Sequence, residues 1–479
     1  MPVTEDLTSQ ILVIGAGPAG LTAAYALARS GRPSTVIEAA TAPGGIAKTV
    51  EYLGSRYDLG GHRFFSKSAE VESLWDELAS EPLLVRSRLS RIFYDGKFYD
   101  YPLKIGNALR NMGPVTASQV LGSYVAARVH PGVDDTFEGW VTNRFGRRLY
   151  KMFFESYTEK VWGRPCSELS AEWAAQRIKN LSLSAAVKDA VFGKRGGDVM
   201  SLIDQFRYPR LGPGQLWQDA AEKCRAAGCD VRLQERVVAF EMEAAVRPAV
   251  TAVLTQDDDG ARRRYRVDHV ISSMPVRDLV AALPDKPVDV ASRAAGLEYR
   301  GFIAVALALD TGDLFPDNWV YVHSSQVRIG RVQNFGNWSP DLLASPGTSL
   351  LGAEFFSTEG DDLWLLSDDR LIDLAWREVR EIGLVSRGRL LYGHVTRVPD
   401  AYPVYATDQE KSFAPVRGWL SSLRNLQCVG RNGQHRYNNM DHSMITALIA
   451  AENIENGYSR DPWAVNQEAD YHEAGKQVG

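Results

Sequence analysis

A strand, a glycine-rich turn, a helix and a second strand follow one another between Gln10 and Glu38. The apolar run Ile11–Ile14 predicts a buried strand, and the residues Gly-Ala-Gly-Pro-Ala-Gly that follow lead into a helix rich in alanine and leucine. With this spacing the first glycine makes a tight turn, the second lets the backbone approach a pyrophosphate, and the third lets helix and strand pack closely. The helix N-terminus then offers N–H groups to the phosphates. We therefore predict a parallel α/β unit that binds a dinucleotide through Gly15, Gly17, Pro18, Ala19 and Gly20.

An acid and a second glycine pair narrow the choice of dinucleotide. Glu38 ends the second strand 18 residues after Gly20, where a carboxylate accepts the ribose hydroxyls and disfavours a 2′-phosphate, which leaves FAD or NAD. Gly44 and Gly45 follow soon after, and adjacent glycines let the backbone run beside a phosphate or a flavin ring. This arrangement resembles the flavoprotein group that contains amine oxidases, carotenoid desaturases and UDP-galactopyranose mutases. The resemblance implies FAD, held also by Glu38, Ala39, Gly44, Gly45, Ile46 and Ala47.

Three later segments fit the plan of that group, in which the FAD domain is assembled from separated pieces. Asp230–Phe240 alternates like a strand, Val270–Pro275 is a buried strand broken by proline, and Leu426–Arg431 reads as a strand followed by glycine. Each alone is equally well explained as an ordinary core strand, whereas their order favours the FAD architecture. Only one dinucleotide fingerprint is visible, so NAD(P)H, the candidate reductant, is expected to share one site. The resemblance implies further cofactor contacts from Val237, Val238 and Met274.

The length of 479 residues is too great for one ordinary core. We predict an α/β fold with a Rossmann-type FAD-binding domain assembled from discontinuous segments, a mainly helical domain and an antiparallel-sheet substrate domain. FAD-binding segments are expected at 1–75, 206–285 and 411–479. The mainly helical domain, with an early strand pair, is expected at 76–205 and the substrate sheet at 286–410.

Composition and charge argue against several classes of partner. Hydrophobic residues make up 45% of the chain and charged residues 24%, as in globular proteins, and the net charge of −5 gives no reason to expect nucleic acid. No uncharged run reaches the roughly 18 residues of a spanning helix, and the N-terminus lacks a signal-peptide pattern. The four cysteines show neither metal-ligand spacing nor disulfide density, so we expect buried thiols, no metal and a cytoplasmic protein. The oligomeric state is left open.

Four further segments resemble UDP-galactopyranose mutase, and the first is Tyr57–Ser66, which contains Gly-Gly-His. Two glycines let the backbone lie close to an isoalloxazine ring, and the imidazole that follows can donate or accept a hydrogen bond there. A lone histidine is more often structural, but the mutases have a Gly-Gly-His or Gly-Ala-His loop beside the flavin. The resemblance implies flavin contacts from Gly60, Gly61 and His62.

The second segment is Phe145–Gly163, followed by Ser-Glu-Leu at 167–169 and by Arg177. Its aromatic residues recur at helical spacing, which core packing alone explains. The mutases share Tyr-Thr-x-Lys-x-Trp-Gly, then Ser-Glu-Leu, then an arginine that contacts a diphosphate. The stretch Val187–Val199, rich in lysine and glycine, is a candidate loop over the substrate. The resemblance implies substrate roles for Tyr157, Trp162 and Arg177, with Lys179 as the neighbouring candidate.

The third segment runs from Asn318 to Pro340. Eukaryotic-type mutases show a similar tryptophan–tyrosine strand, an arginine ten residues after the tyrosine, and then asparagine, an aromatic residue, serine and proline. The resemblance implies that Arg331 is the second diphosphate arginine, that Tyr321 contacts the substrate, and that Trp338 replaces a substrate-side tyrosine. Arg300, on an earlier strand that also resembles the family, is a further substrate candidate.

The fourth segment is Gly430–Ser443, where Gly-Arg, then Tyr, then Asn-x-Asp precede a helix as in the mutases. The resemblance implies that Arg431 contacts the FAD pyrophosphate and Tyr437 a substrate phosphate. Asn439 and Met440 would lie at a helix N-terminus beneath the flavin. Ordinary N-capping explains Asn439 equally well, and both roles are compatible.

The resemblance as a whole implies ring isomerisation of a nucleotide sugar between pyranose and furanose, with N5 of reduced FAD attacking the anomeric carbon. His62, Arg177 and Arg331 would be the catalytic side chains, because two arginines grip a diphosphate by bidentate contacts and so orient the sugar. Phe355 stands about where bacterial mutases have a phosphate-binding tyrosine, so specificity for galactopyranose does not follow. The alternative is an FAD-dependent oxidoreductase of the amine oxidase or desaturase type, and a third class is a non-catalytic flavoprotein scaffold.

Overall fold

The computed structural model describes residues 5–101, 105–171, 205–312, 314–405, 409–457 and 459–466. The strands, in chain order, are β1 (Glu5–Ile14), β2 (Thr35–Ile37), β3 (Thr49–Tyr52), β4 (Ser55–Asp58), β5 (Leu84–Ser87), β6 (Ser90–Tyr94), β7 (Lys97–Asp100), β8 (Gln205–Tyr208), β9 (Asp230–Arg232), β10 (Glu235–Glu243), β11 (Ala249–Asp257), β12 (Arg262–Ser272), β13 (Tyr299–Leu309), β14 (Trp319–Val322), β15 (Arg331–Asn334), β16 (Ser349–Phe356), β17 (Leu390–Pro403) and β18 (Leu426–Cys428).

The α-helices of the same ranges are Pro18–Arg29, Ala69–Leu78, Ile105–Val129, Phe137–Phe145, Arg147–Tyr150, Ser156–Trp162, Pro213–Ala226, Val276–Ala282, Val288–Ala295, Asp368–Glu381, Gln409–Ser422, Gly430–Gly433 and Met440–Asn456. Lys151–Glu155 is a π-helical turn, and short 3₁₀ turns occupy Gly45–Ala47, Cys166–Glu168, Phe335–Asn337, Pro340–Leu342 and Pro462–Ala464. Within the described ranges, no helix is both long and apolar enough to cross a membrane.

The first large sheet has seven strands in the order β10-β11-β12-β1-β2-β9, with β18 beside the end of β12. β1 runs parallel to β2 and β12, and β18 runs parallel to β12, whereas β10, β11 and β12 are antiparallel neighbours. The sheet therefore combines strands from the beginning, the middle and the end of the chain. The predicted α/β fold with a discontinuous Rossmann-type domain is confirmed.

The packing of the first helix on this sheet depends on a glycine. A side-chain carbon added at Gly20 would lie 1.8 Å from the carbonyl oxygen of Gly15, so only hydrogen at this position lets helix Pro18–Arg29 approach β1. The same helix buries Leu21 and Leu27 in a core shared with helix Met440–Asn456. The first and last parts of the chain are thus held together by one apolar core.

The second large sheet has the order β17-β13-β16-β15-β14-β6-β7, and all neighbours are antiparallel except β14 and β6. The early strands β6 and β7 therefore extend a sheet whose other strands follow residue 298. Successive residues of β13 alternate between two cores: Ala304 and Ala306 face the helical region between residues 105 and 162, and Val305 and Leu307 face helix Asp368–Glu381. The two faces of this sheet are both buried.

The helical region is interrupted in two places. Helix Ile105–Val129 breaks at Gly113, which has a φ of 76° and precedes Pro114. The π-helical turn Lys151–Glu155 inserts an extra residue before helix Ser156–Trp162. Helix Ser156–Trp162 packs its tyrosine and tryptophan side chains into a core that it shares with the second sheet. All four cysteines are buried thiols, as expected from the sequence.

Candidate functional site

A cavity of about 670 Å³ opens at the carboxyl ends of β1 and β2. Its walls come from segments that are far apart in the sequence, including the first glycine turn, the second glycine pair, β10, the end of β12 and the region from residue 430 onward. The sequence-predicted cofactor residues that line it are Gly15, Gly17, Pro18, Ala19, Glu38, Ala39, Gly45, Ile46, Ala47, His62, Val237, Val238, Met274, Gly430, Arg431, Asn439 and Met440.

The cavity has the chemistry of a dinucleotide site. A side-chain carbon at Gly17 would lie 3.7 Å from the Cα of Gly45, so these two glycines form a narrow backbone cradle that side chains would fill. The N-terminus of helix Pro18–Arg29 opens into it, and its first N–H groups have no partner within the helix. The Glu38 carboxylate is fixed by the N–H groups of Ala16 at 2.7 Å and Ala40 at 2.8 Å. Phosphates and ribose hydroxyls fit these groups.

Four predicted cofactor residues do not line the cavity. Gly20 lies beneath the helix, and the N–H of Gly44 donates to the carbonyl of Ala16 at 2.8 Å, which holds the two glycine loops together. Gly60 and Gly61 lie in the loop behind His62. Residues that the sequence reasoning missed are mostly chain neighbours of predicted ones, and they are Ile14, Ile37, Glu235, Arg236, Ser273, Pro275, Asp278, Ala281, Ala282, Asn432, Asn438 and Ser443.

The loop Gly60–His62 connects the cavity with the second sheet. The His62 Nε2–H donates to the Leu59 carbonyl at 2.8 Å, and burial, with smaller effects of Arg431 and Arg331, lowers the pKa of the imidazole to about 4. His62 is therefore neutral at neutral pH. A side-chain carbon at Gly60 would lie 3.5 Å from Nη2 of Arg331, which brings that arginine next to the loop.

The guanidinium of Arg331 is paired with a carboxylate. Its Nε lies 3.0 Å from both carboxylate oxygens of Glu354, and its Nη2 lies 2.5 Å from one of them. The two residues are cross-strand partners in β15 and β16. The proximity of this carboxylate raises the pKa of the guanidinium, so the arginine stays charged. One edge of Arg331 is therefore held by an acid, and its role as a diphosphate arginine stays a prediction.

Aromatic side chains form a wall beside Arg331. Tyr157 stacks on His323, with ring centroids 4.6 Å apart and an interplanar angle of 11°, and it meets Tyr321 edge to face at 5.6 Å. Burial raises the pKa of the Tyr157 phenol well above its ordinary value. Trp162 meets Tyr402 edge to face at 6.5 Å. The predicted substrate residues Tyr157, Trp162 and Tyr321 thus lie together on the face of the sheet that carries Arg331.

A second aromatic pair joins this wall to the cavity. Tyr402 stacks on Tyr437 at 5.6 Å and 13°, and the Arg431 guanidinium carbon lies 4.7 Å from the Tyr437 ring centroid. Arg431 is also fixed by its Nε–H donating to the Asn438 carbonyl at 2.9 Å. The sequence reasoning missed Tyr402, Tyr405 and His323.

The C-terminal helix begins at the cavity. Asn439 caps helix Met440–Asn456 in a capping box, in which its N–H donates to the His442 Nδ1 at 3.3 Å. Asn439 and Met440 also line the cavity. The residue that caps the helix is therefore also part of the cavity wall.

Two predicted substrate residues are buried in the core. Phe355 lies on the face of β16 opposite Glu354 and is buried against helix Asp368–Glu381, because alternate strand residues point to opposite faces. Trp338 is buried behind Gly61 and donates its Nε1–H to the Asn318 carbonyl at 2.9 Å. Both are core residues.

Arg300 belongs to a fixed ionic contact. Its Nη1 lies 2.8 Å from the Asp361 carboxylate and 2.7 Å from the Thr358 hydroxyl, and its Nη2–H donates to the Phe356 carbonyl at 2.9 Å. These contacts anchor the loop after β16. Arg177, Lys179 and Val187–Val199 lie outside the described residues. Among the described residues, no group of three or more histidine, cysteine or acidic side chains is placed to hold a metal ion.

Comparisons with known proteins give the same fold. A crystal structure of reduced UDP-galactopyranose mutase is similar over 94% of this chain and 96% of that chain, with a TM-score of 0.80 and 21% identity. Putrescine oxidase bound to putrescine has a TM-score of 0.61 and 17% identity over 94% and 99%. An oxidoreductase from Methanosarcina mazei has a TM-score of 0.62 and 17% identity over 93% and 100%. At these identities the likeness shows the fold alone.

The family described as flavin containing amine oxidoreductase matches residues 18–454, from the start of the first helix to near the end of helix Met440–Asn456. This match supports FAD as the cofactor of the cavity. The chain belongs to the flavin containing amine oxidoreductase family.

Proposed function

We propose that this chain is a flavin-dependent mutase that interconverts the pyranose and furanose forms of a nucleotide sugar, similar to UDP-galactopyranose mutase. The observation that carries the proposal is the meeting of Arg331, Arg431 and hydroxyl-bearing aromatic residues beside the loop Gly60–His62. Two arginines and one acid, Glu354, leave this region with a net positive charge, which suits a diphosphate.

The side chains of this region would bind and orient the substrate. Tyr157 and Tyr402 keep their protons, because burial raises the pKa of each phenol, and a neutral phenol donates a hydrogen bond to a phosphate oxygen. The stacked Tyr402 and Tyr437 form an aromatic platform next to Arg431, which lines the cavity. Bound FAD, in its reduced form, supplies the nucleophilic N5 for the anomeric carbon. Neutral His62 is a hydrogen-bonding group rather than an acid at this place.

The alternative is an FAD-dependent oxidoreductase of the amine oxidase or desaturase type. One observation favours it: the charge of Arg331 is already met by Glu354, and the surrounding wall is largely aromatic. A substrate without phosphate would fit such a wall. The hydrogen bonds that the Arg431 guanidinium makes to described residues go to backbone carbonyls and not to an acid. This second positive charge favours the mutase, because it suits a phosphate.

The activity is tested by reducing the flavin anaerobically with dithionite and offering uridine, thymidine and guanosine diphosphate sugars. Separation of ring-size isomers by chromatography, with assignment by NMR, is the measurement. We expect isomerisation of at least one sugar in the reduced state and none in the oxidised state. Stoichiometric reduction of the flavin by an amine or a polyprene, without an isomer from any sugar, would contradict the proposal.

The role of Arg331 is tested by binding of UDP to the oxidised holoprotein. We expect Arg331→Ala to weaken UDP binding by about tenfold or more while FAD stays bound, since a charge-assisted contact contributes about 1.5–3 kcal/mol. Arg328→Ala is the matched control, because Arg328 lies near the start of the same strand in an exposed pair with Asp362. Equal affinities of the wild type and Arg331→Ala would remove Arg331 from the site.

A further inference from the structure

Glu354 is a buried acid to which neither the sequence reasoning nor the proposed mechanism gives a role beyond its charge. It is 1% exposed and lies in β16 among the apolar and small residues Leu350–Phe356. Besides its contacts with Arg331, it accepts a hydrogen bond from the Gln333 Nε2 at 2.9 Å. A buried carboxylate is costly unless it is paired and hydrogen-bonded. We therefore ask what Glu354 does for the two side chains that it contacts.

Both partners of Glu354 lie against the two glycines before His62. Nη2 of Arg331 lies 3.5 Å from the position of a side-chain carbon at Gly60, and Nε2 of Gln333 lies 3.1 Å from the corresponding position at Gly61. His62, the next residue, lines the cavity, and the charge of Arg331 contributes to the lowered pKa of its imidazole. The positive charge of Arg331 therefore acts on a side chain of the cavity wall.

We propose that Glu354 is a positioning residue that holds Arg331 and Gln333 against the flavin-side loop and cancels the charge of Arg331 at the flavin. The bidentate contact fixes the plane of the guanidinium, and Gln333 is held by the same carboxylate. A positive charge near a flavin stabilises its reduced, anionic form, and in a buried region this effect is weakly screened. The pair Arg331–Glu354 lets the site orient an anionic substrate without making the bound flavin easier to reduce.

This inference rests on the proposed function only in placing the flavin ring beside Gly60–His62, and its test needs no turnover. The measurement is the midpoint reduction potential of the bound FAD at pH 8, by anaerobic dye-coupled titration. We expect Glu354→Gln to shift the potential to a more positive value, because Arg331 is then uncompensated. Arg331→Met should shift it to a more negative value, because the carboxylate then stands alone.

Glu378→Gln is the matched control. Glu378 is also buried, at 4% exposure, but it lies in helix Asp368–Glu381 on the opposite face of the sheet and accepts the N–H groups of Arg328 and Ile329. This variant should leave the potential unchanged. Glu354→Asp keeps the charge and should stay close to the wild-type value. An unchanged or more negative potential in Glu354→Gln would overturn the inference.

A double variant covers the case in which Glu354→Gln does not yield a folded holoprotein. Arg331→Met with Glu354→Gln removes both charges, leaves no lone buried ion and should fold. Its potential should match the wild type, whereas Arg331→Met alone should lie below it. Equal potentials of Arg331→Met and the double variant would show that the charge of Glu354 is not felt at the flavin. If the wild type shows no isomerase activity, the proposed function is overturned, but the expected shifts in the reduction potential of the variants are not affected.

Discussion

The cavity that holds FAD is shaped by backbone, whereas the neighbouring region around Arg331 is shaped by side chains from separate strands. Around the cavity, glycines set how closely two loops and a helix approach, as Gly17 and Gly20 show. Around Arg331, the arrangement depends on Glu354, Gln333 and stacked rings that meet across strands and helices. A site shaped by backbone loses its form when a side-chain atom is added to a glycine. A site shaped by side chains loses its form when one of the contacting side chains is removed.

The largest effect is expected from adding atoms to the backbone-shaped region. Gly20→Val should abolish FAD binding and lower the free energy of unfolding by more than about 5 kcal/mol, because its Cβ would overlap the Gly15 carbonyl. The ratio of flavin absorbance to protein absorbance measures this. Gly31→Ala is the control: its φ is 76°, but no atom lies within 4 Å of the added carbon, so a cost of about 1 kcal/mol with full FAD content is expected. Normal FAD content in Gly20→Val would refute the comparison.

The next effect comes from removing a partner in the side-chain-shaped region. Arg331→Met should lower the free energy of unfolding by about 3–5 kcal/mol, because Glu354 is left as an unpaired buried charge. Adding Glu354→Gln should restore most of that loss, while FAD stays bound in both variants. Urea unfolding followed by tryptophan fluorescence is the measurement. A double variant less stable than the single one would show that the pair is not a unit.

A third test concerns the strand that leads into Gly60–His62. Burial raises the pKa of Asp58 to about 7, although the Tyr208 and Thr49 hydroxyls donate to its carboxylate. Because the folded pKa exceeds the unfolded one, the stability from this group is complete below about pH 4 and is lost as the pH rises to 7. The loss amounts to up to about 4 kcal/mol.

Asp58→Asn should therefore gain stability relative to the wild type as the pH rises from 4 to 7. Thermal unfolding of both holoproteins across this range measures the difference between them, so that other titrating groups cancel. A constant difference would mean that Asp58 is ionised throughout and that the loop is anchored independently of pH.

The smallest effect is expected at a position that sequence resemblance placed in the site. Phe355→Tyr should cost about 1–3 kcal/mol of stability, since the new hydroxyl enters an apolar core, and should leave the UDP affinity unchanged. Tyr437→Phe, which removes the hydroxyl of a ring in contact with Arg431, is the counterpart and should weaken UDP binding. A gain in UDP affinity in Phe355→Tyr would mean that this face of β16 is reached by the substrate.

The contrast between the two regions also explains what the sequence could predict. The glycines and Glu38 lie within one short unit whose local rules fix its conformation, so their positions follow from the chain itself. The sequence could not show which side of β16 carries Phe355, because this strand is buried on both faces and has no alternation to reveal which side faces the site. The single acid in that strand, Glu354, was the available signal. The position of Tyr402 depends on a shifted register between β13 and β17, for which the sequence offers no marker.

β12 pairs in parallel with both β1 and β18, and this pairing has a consequence for folding during synthesis. The strand and the helix that complete the pocket of the first glycine turn, from Leu426 and Met440, leave the ribosome more than 400 residues after that turn. At roughly 5–20 residues per second, this interval lasts on the order of half a minute. During that time the nascent chain carries apolar strands without their neighbours. Cofactor capture is therefore a late event, and nascent chains stalled before Leu426 should be clients of chaperones.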